Sequence, residues 1–270
     1  MQSNHFDKER PACHNRAHES RCKRKAGEKL NKKAESKRHV DREKTHKRRQ
    51  AGKKADDRNL DEKKKLTLEV IRRLKQEYPE AKCTLDYDKA WQLLVSVRLA
   101  AQCTDARVDQ ITPKLYEKFP SVAALAEASP DEIEEIVRPC GLGPSKARDI
   151  SACMRMLHEK FGDNVPDTFE ELLALPGVGR KSANLIMGDI FGKPAIVTDT
   201  HCIRLTNLIG MVDGIKEPAK VERELWKIVP PEEGNDLCHR FVLHGRAVCV
   251  ARRPQCDVCC LKDICRHAQG

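Results

Sequence analysis

The sequence predicts an all-α protein. Three observations carry that expectation. Beyond residue 65, apolar residues recur at steps of three and four; no run alternates as strands do; and the periodic stretches are separated by short Pro and Gly clusters such as those at 139–145 and 175–180.

The first 65 residues stand apart. They hold 23 Lys or Arg against 11 Asp or Glu, a net of +12, whereas the remaining 205 residues carry 28 basic and 30 acidic groups, a net of −2. With few β-branched or aromatic residues, this stretch has too little apolar area to offset its ordering entropy, so a disordered basic tail is expected over 1–65. Its charge suits an electrostatic tether to a polyanion. Eleven acidic groups argue against a mitochondrial leader, and the absence of Met between Met1 and Met154 leaves open an untranslated leader.

Thirteen cysteines without an apolar secretion segment point to reduced thiols, metal ligation or both. No uncharged apolar run reaches the roughly 18 residues of a membrane span, so a soluble protein with no membrane partner is expected. Aromatic content of 4% argues against a base-stacking platform.

Leu66, Val70, Ile71, Leu74 and Tyr78 trace a first helix that Pro79 ends, and Ala90, Leu93, Leu94, Val97 and Ala101 trace a second. Further on, Ser145 is placed to cap a helix striped by Ala147, Ile150, Met154, Leu157 and Phe161.

Residues 168–187 are the most informative stretch. Leu172, Leu173 and Leu175 form the apolar side of one helix, Ala183, Ile186, Met187 and Ile190 that of the next, with Pro176-Gly177-Val178-Gly179 turning between them. Gly177 and Gly179 permit positive φ and close backbone approach, and the second helix presents unpaired N–H groups at its start. Such a helix-hairpin-helix seats a phosphate without reading sequence; a plain helix connection has the same pattern. A Walker A loop is excluded, because Arg180 stands where glycine must precede the Lys-Ser pair.

Lys181 lies on the first turn of that second helix. There the macrodipole opposes an ammonium, and contact with a DNA groove strips water from it, which together favour a nucleophilic amine; the plain alternative is a solvated surface charge. Asp199, in Val197-Thr198-Asp199-Thr200-His201, is placed either to cap a helix or to face a sugar on which positive charge develops.

Cys249, Cys256, Cys259 and Cys265 follow a C-x6-C-x2-C-x5-C spacing within 17 residues. Four thiols so close imply a metal centre. Zinc competes, but structural zinc sites commonly pair two knuckles across a longer loop and only one is present here; a four-cysteine [4Fe-4S] cluster suits the spacing better. Cys260 adjoins Cys259 as a rival ligand, and Arg252 and Arg253 in the intervening loop are placed to meet phosphates.

These three motifs, in this order and spacing, resemble the endonuclease III family over about residues 66–266. The resemblance implies a helix-hairpin-helix DNA glycosylase fold, with a six-helix domain at 83–193 and an iron-sulfur domain formed by 66–82 and 194–270. It implies a bifunctional glycosylase/AP lyase of base excision repair. Lys181 and Asp199 would be catalytic, the four cysteines would hold a [4Fe-4S] cluster, and Gly177, Gly179, Arg180, Arg252 and Arg253 would bind DNA. Residues 99–105 are similar to the segment whose glutamine fills the space left by an extruded nucleotide, nominating Gln102; residues 140–147 resemble the wedge loop, nominating Leu142. Asp105 matches a position near the family's pocket and suits a cap equally. Gly143 departs from the bulkier residue common beside the wedge. The implied partner is double-stranded DNA with an oxidised pyrimidine or an abasic site. The protein is expected to act as a monomer, in the cytoplasm and nucleoid of a bacterium or the nucleus of a eukaryote.

Overall fold

The computed structural model describes residues 59–270, and among these every regular element is helical. Helix α1 spans 59–77, so it begins inside the stretch expected to be tail. Leu60 and Leu66 pack on the core behind the fully buried Val70 and Leu74. Sequence patterning missed the first two turns because they are mostly charged; their anchorage is tertiary, with Lys63 paired to Asp213 across 150 positions of sequence. The rest of the expected tail lies outside the described residues.

Helix α2 (Ala90–Leu99) is buried on nearly all sides, from Trp91 to Leu99 with only Arg98 half-buried. A helix buried on nearly every side belongs at the centre of a bundle, and the polar Gln92 and Ser96 are accommodated there by hydrogen bonds. Its start is closed by Gln92, whose Oε1 accepts from the Asp88 and Lys89 amides. Around it lie α3 (Asp105–Lys118), α4 (Val122–Glu127) and α5 (Pro130–Val137), the last begun by a Ser129–Glu132 capping box. The longest helix with a fixed start, α6 (Gly143–Phe161), packs against α4, α5 and α2.

Two expectations need correction here. Ser145 does not cap α6: the helix starts two residues earlier, aided by Pro144 in its first turn, and the Ser145 hydroxyl instead accepts from Arg98. Leu173 is 41% exposed, because α7 (Phe169–Ala174) has barely more than one turn and buries only Leu172 fully.

The hairpin joins α7 to α8 (Arg180–Asp189), and α2 packs against α8 beneath it. Gly177 has φ +75°, and a Cβ there would lie 2.8 Å from Asp149 Cβ and 3.1 Å from Arg98 Cδ. Those two side chains are paired (Nε to Oδ2, 2.7 Å), so the turn rests on a salt bridge between α2 and α6. Gly179 differs: its φ is −101° and no atom lies within 4 Å of a Cβ built on it. Helices α9 (Thr200–Ile209), α10 (Pro218–Leu225), α11 (Gly234–Ala247) and α12 (Arg266–Gln269) complete the bundle, α9 against α11 and α12.

The contrast between the two glycines yields a prediction. Gly177→Ala combines left-handed strain with a clash against the half-buried Arg98–Asp149 pair and should destabilise the fold by about 2–3 kcal/mol. Gly179→Ala should cost less than about 1 kcal/mol. Chemical denaturation of both variants checks this, and equal losses would contradict it.

Candidate active site and cysteine cavity

The buried segment Ala195–Thr198 carries the chain from α8 to Asp199, which begins α9. Asp199 Oδ1 accepts from the Cys202 amide at 2.7 Å, so the expected cap is made. The carboxylate has a second oxygen, and Asp199 and Lys181 both line one cavity of about 90 Å³. Both alternatives for Asp199 are thus compatible in one side chain. Lys181 is exposed in the free protein, at the second position of α8, whose start has no side-chain cap and no acidic residue in its first turn.

The cavity has an apolar wall of Val97, Leu185 and Val197 and a polar floor that the motifs did not reveal. Asp105 Oδ2 accepts from Thr84 Oγ1 at 2.6 Å and from Arg246 Nη2 at 2.7 Å. Burial raises the Asp105 pKa, but the Arg246 and Thr84 hydrogen bonds outweigh it and hold the carboxyl below its ordinary value. Asp105 is not the cap of α3; Thr104 is, accepting from the Arg107 amide. His239 lines the same cavity and is bonded to Asp189 Oδ1 at 2.8 Å. Beside Asp199, burial lowers the His201 pKa, with the Asp199 charge opposing.

Of the other nominated residues, Gln102 and Leu142 are both exposed and both left-handed, with φ of 57° and 52°. Arg180 is less free than expected: it makes a two-point pair with Glu222 (2.6 and 2.7 Å) and stacks over Phe169. Arg252 and Arg253 are exposed, and among the described residues neither forms an ion pair.

Cys249, Cys256, Cys259 and Cys265 line a second cavity, about 20 Å³, walled by Leu205, Leu208 and Ile209 of α9 and by Leu261. Cys260 does not line it; its carbonyl accepts from Arg73 of α1. Arg204 donates to the Cys249 carbonyl at 2.6 Å and approaches its sulfur at 3.5 Å, while the Leu261 amide and His244 Nε2 lie 3.4 and 3.3 Å from Cys259 Sγ. The neighbouring Cys260 thiol above all, with His244 and the Leu261 amide, pulls the Cys259 thiol below its ordinary pKa against the effect of burial. Among the described residues, no three His, Cys, Asp or Glu side chains close on a point fit for a single metal ion.

A family model for the HhH-GPD superfamily of base excision DNA repair proteins matches residues 95–231. The chain is 42% identical to an endonuclease III of Synechocystis over 79% of its own length and 97% of that protein's. To the endonuclease III of Escherichia coli K12 it is 38% identical, over 75% of this chain and 95% of that one. A solved structure of a trapped covalent intermediate between endonuclease III and DNA superposes with a TM-score of 0.73 at 37% identity, covering 76% of this chain and 97% of that one. On these matches the chain belongs to the endonuclease III family within the HhH-GPD superfamily.

Proposed function

We propose that this protein is a bifunctional DNA glycosylase and AP lyase of base excision repair. The observation that carries the reading is the meeting of Lys181 and Asp199, from two successive helix starts, at one cavity beside the hairpin. The trapped covalent complex of the related endonuclease III supports it.

The uncapped start of α8 and the Gly177–Gly179 turn offer main-chain N–H groups to one DNA backbone. Arg180, held by Glu222, contributes its own amide here and fixes the hairpin against α10. Docked DNA desolvates Lys181, and its neutral amine attacks C1′ as the base departs with the glycosidic electron pair. The free oxygen of Asp199 faces the positive charge developing on the sugar and takes the proton that the amine loses. The amine then forms a Schiff base with the opened sugar, and loss of a C2′ proton expels the 3′ phosphate. Gln102 and Leu142 fill the space that the extruded nucleotide leaves. Oxidised pyrimidines and abasic sites in duplex DNA are the substrates this reading assigns to a monomeric enzyme.

The four cysteines would hold a [4Fe-4S] cluster. They line one shared cavity, and their C-x6-C-x2-C-x5-C spacing suits a four-cysteine cluster better than a pair of zinc knuckles. Bound there, the cluster supplies a rigid crosslink. That crosslink would pin the loop bearing Arg252 and Arg253, for which DNA phosphates are the proposed partners. We further assign 83–193 to a six-helix domain and 66–82 with 194–270 to the cluster domain, a division supported by the bonds from Arg73 of α1 to Cys260 and Asp263.

Lys181→Gln should abolish base release, strand scission and covalent trapping by borohydride on an abasic duplex, with DNA affinity within a few-fold of wild type. Trapping by that variant would refute the assignment. Asp199→Asn should fold normally, since Asn caps a helix as well as Asp, yet lose turnover by about 100-fold or more.

Anaerobically purified protein should carry about four irons and four sulfides per chain. Alanine at Cys249, Cys256, Cys259 or Cys265 should remove them or leave the protein insoluble, and Cys260→Ala should retain them. Stoichiometric zinc without iron would overturn the cluster.

A further inference from the structure

Lys146 in α6 is wholly withdrawn from solvent, at 0% exposure. Among the described residues it pairs with no carboxylate. Its Nζ donates instead to two main-chain carbonyls, Leu99 O and Cys140 O, each at 2.8 Å. Burying an amino group away from any carboxylate is unfavourable unless its hydrogen bonds are satisfied, and an apolar residue of similar length would fill the same space without that penalty. What the lysine gains is contact with two separate segments at once.

Those segments are the two that carry the exposed left-handed residues. Leu99 is the last residue of α2, three before Gln102, and Cys140 stands two before Leu142. The Lys146 amide also bonds the carbonyl of Leu142 itself at 3.0 Å. Of the three non-glycine residues with positive φ among those described, two are Gln102 and Leu142, and a strained backbone of this kind persists only where its surroundings fix it. The carbonyls that Lys146 engages lie at the ends of α2 and of the short 3-10 turn Arg138–Cys140, where helical carbonyls lack partners of their own.

We propose that Lys146 is a positioning residue that locks the Gln102 loop and the Leu142 loop into one rigid wedge, so that both side chains enter the duplex in a single register. This rests on the reading of Gln102 and Leu142 as the inserted groups. A long stem with several donors at its tip is the side chain that reaches two carbonyls on different segments from inside the core. Met matches the stem in length and removes the donors.

The test uses the full chain with Lys146→Met, Gln102→Ala and Leu142→Ala. Single-turnover strand scission is measured on an abasic site in duplex and in single-stranded DNA, with 2-aminopurine opposite the site reporting unstacking in the duplex. Lys146→Met should lower the duplex rate by about 100-fold and abolish the fluorescence rise, while the single-stranded rate stays within about threefold of wild type. Equal loss on both substrates would make Lys146 a general fold residue and overturn the proposal. So would a duplex rate and fluorescence rise that remain intact. If Gln102→Ala and Leu142→Ala leave duplex unstacking unchanged, the insertion reading fails and the proposal with it; if they abolish unstacking and Lys146→Met does not, only the positioning role falls. Should Lys146→Met fail to fold, hydrogen exchange on wild type decides. Peptides covering 99–104 and 140–146 should open together at one rate, and independent opening overturns the lock.

Discussion

Two helix starts, treated in opposite ways, govern this site. The start of α8 has no side-chain cap and no acidic residue in its first turn, so its N–H groups stay available to an external anion. The start of α9 is satisfied from within, by Asp199. A serine or aspartate in place of Gly179 could satisfy α8 in the same way and close its start to an external anion. Because Lys181 sits on the open start and Asp199 on the closed one, the lysine is left exposed while the carboxylate is held in place by its own cap.

Fixing those starts falls to charged pairs that bridge distant segments. Arg98 and Asp149 form the bed on which Gly177 lies, Arg180 and Glu222 tie the hairpin to α10, and Arg246 clamps Asp105 at the cavity floor. Glu222 is 1% exposed, so the Arg180 pair is largely withdrawn from water on its acidic side, and losing the arginine would strand a buried carboxylate. The two-point geometry suits a guanidinium and not an ammonium. Arg180 therefore acts first as a brace, which its place in the hairpin motif does not reveal.

The parts of this site that were legible in sequence are those written in consecutive residues. The hairpin glycines, Lys181 behind them, Asp199 before its helix and the cysteine spacing each follow from short-range geometry; Lys181 and Asp199 line one cavity and the four cysteines another, while Gly177 has the positive φ expected of it and Gly179 does not. Thr84, Arg246, His239 and Lys146 were not legible, because each gains its role from a partner in another element. Arg246 lies on the last turn of α11 and meets Asp105 on the first turn of α3, 141 positions away. The charged start of α1 escaped for the same reason. Ser145 misled in the opposite direction: serine before an apolar stripe signals a cap, but Pro144 had already begun the helix.

The attachments of α1 bear on how the chain is made. Lys63 finds its partner 150 residues later, and Arg73 finds Asp263 after 190. A ribosome adding 5–20 residues per second delivers that last partner roughly ten to forty seconds after the arginine. Over that interval α2 to α11 are made, and the charged partners of α1 arrive one after another, Asp213 first and Asp263 last. The first of the described helices to be made is thus among the last to be fully tied down, its apolar stripe of Val70, Ile71 and Leu74 waiting for the segments that follow it.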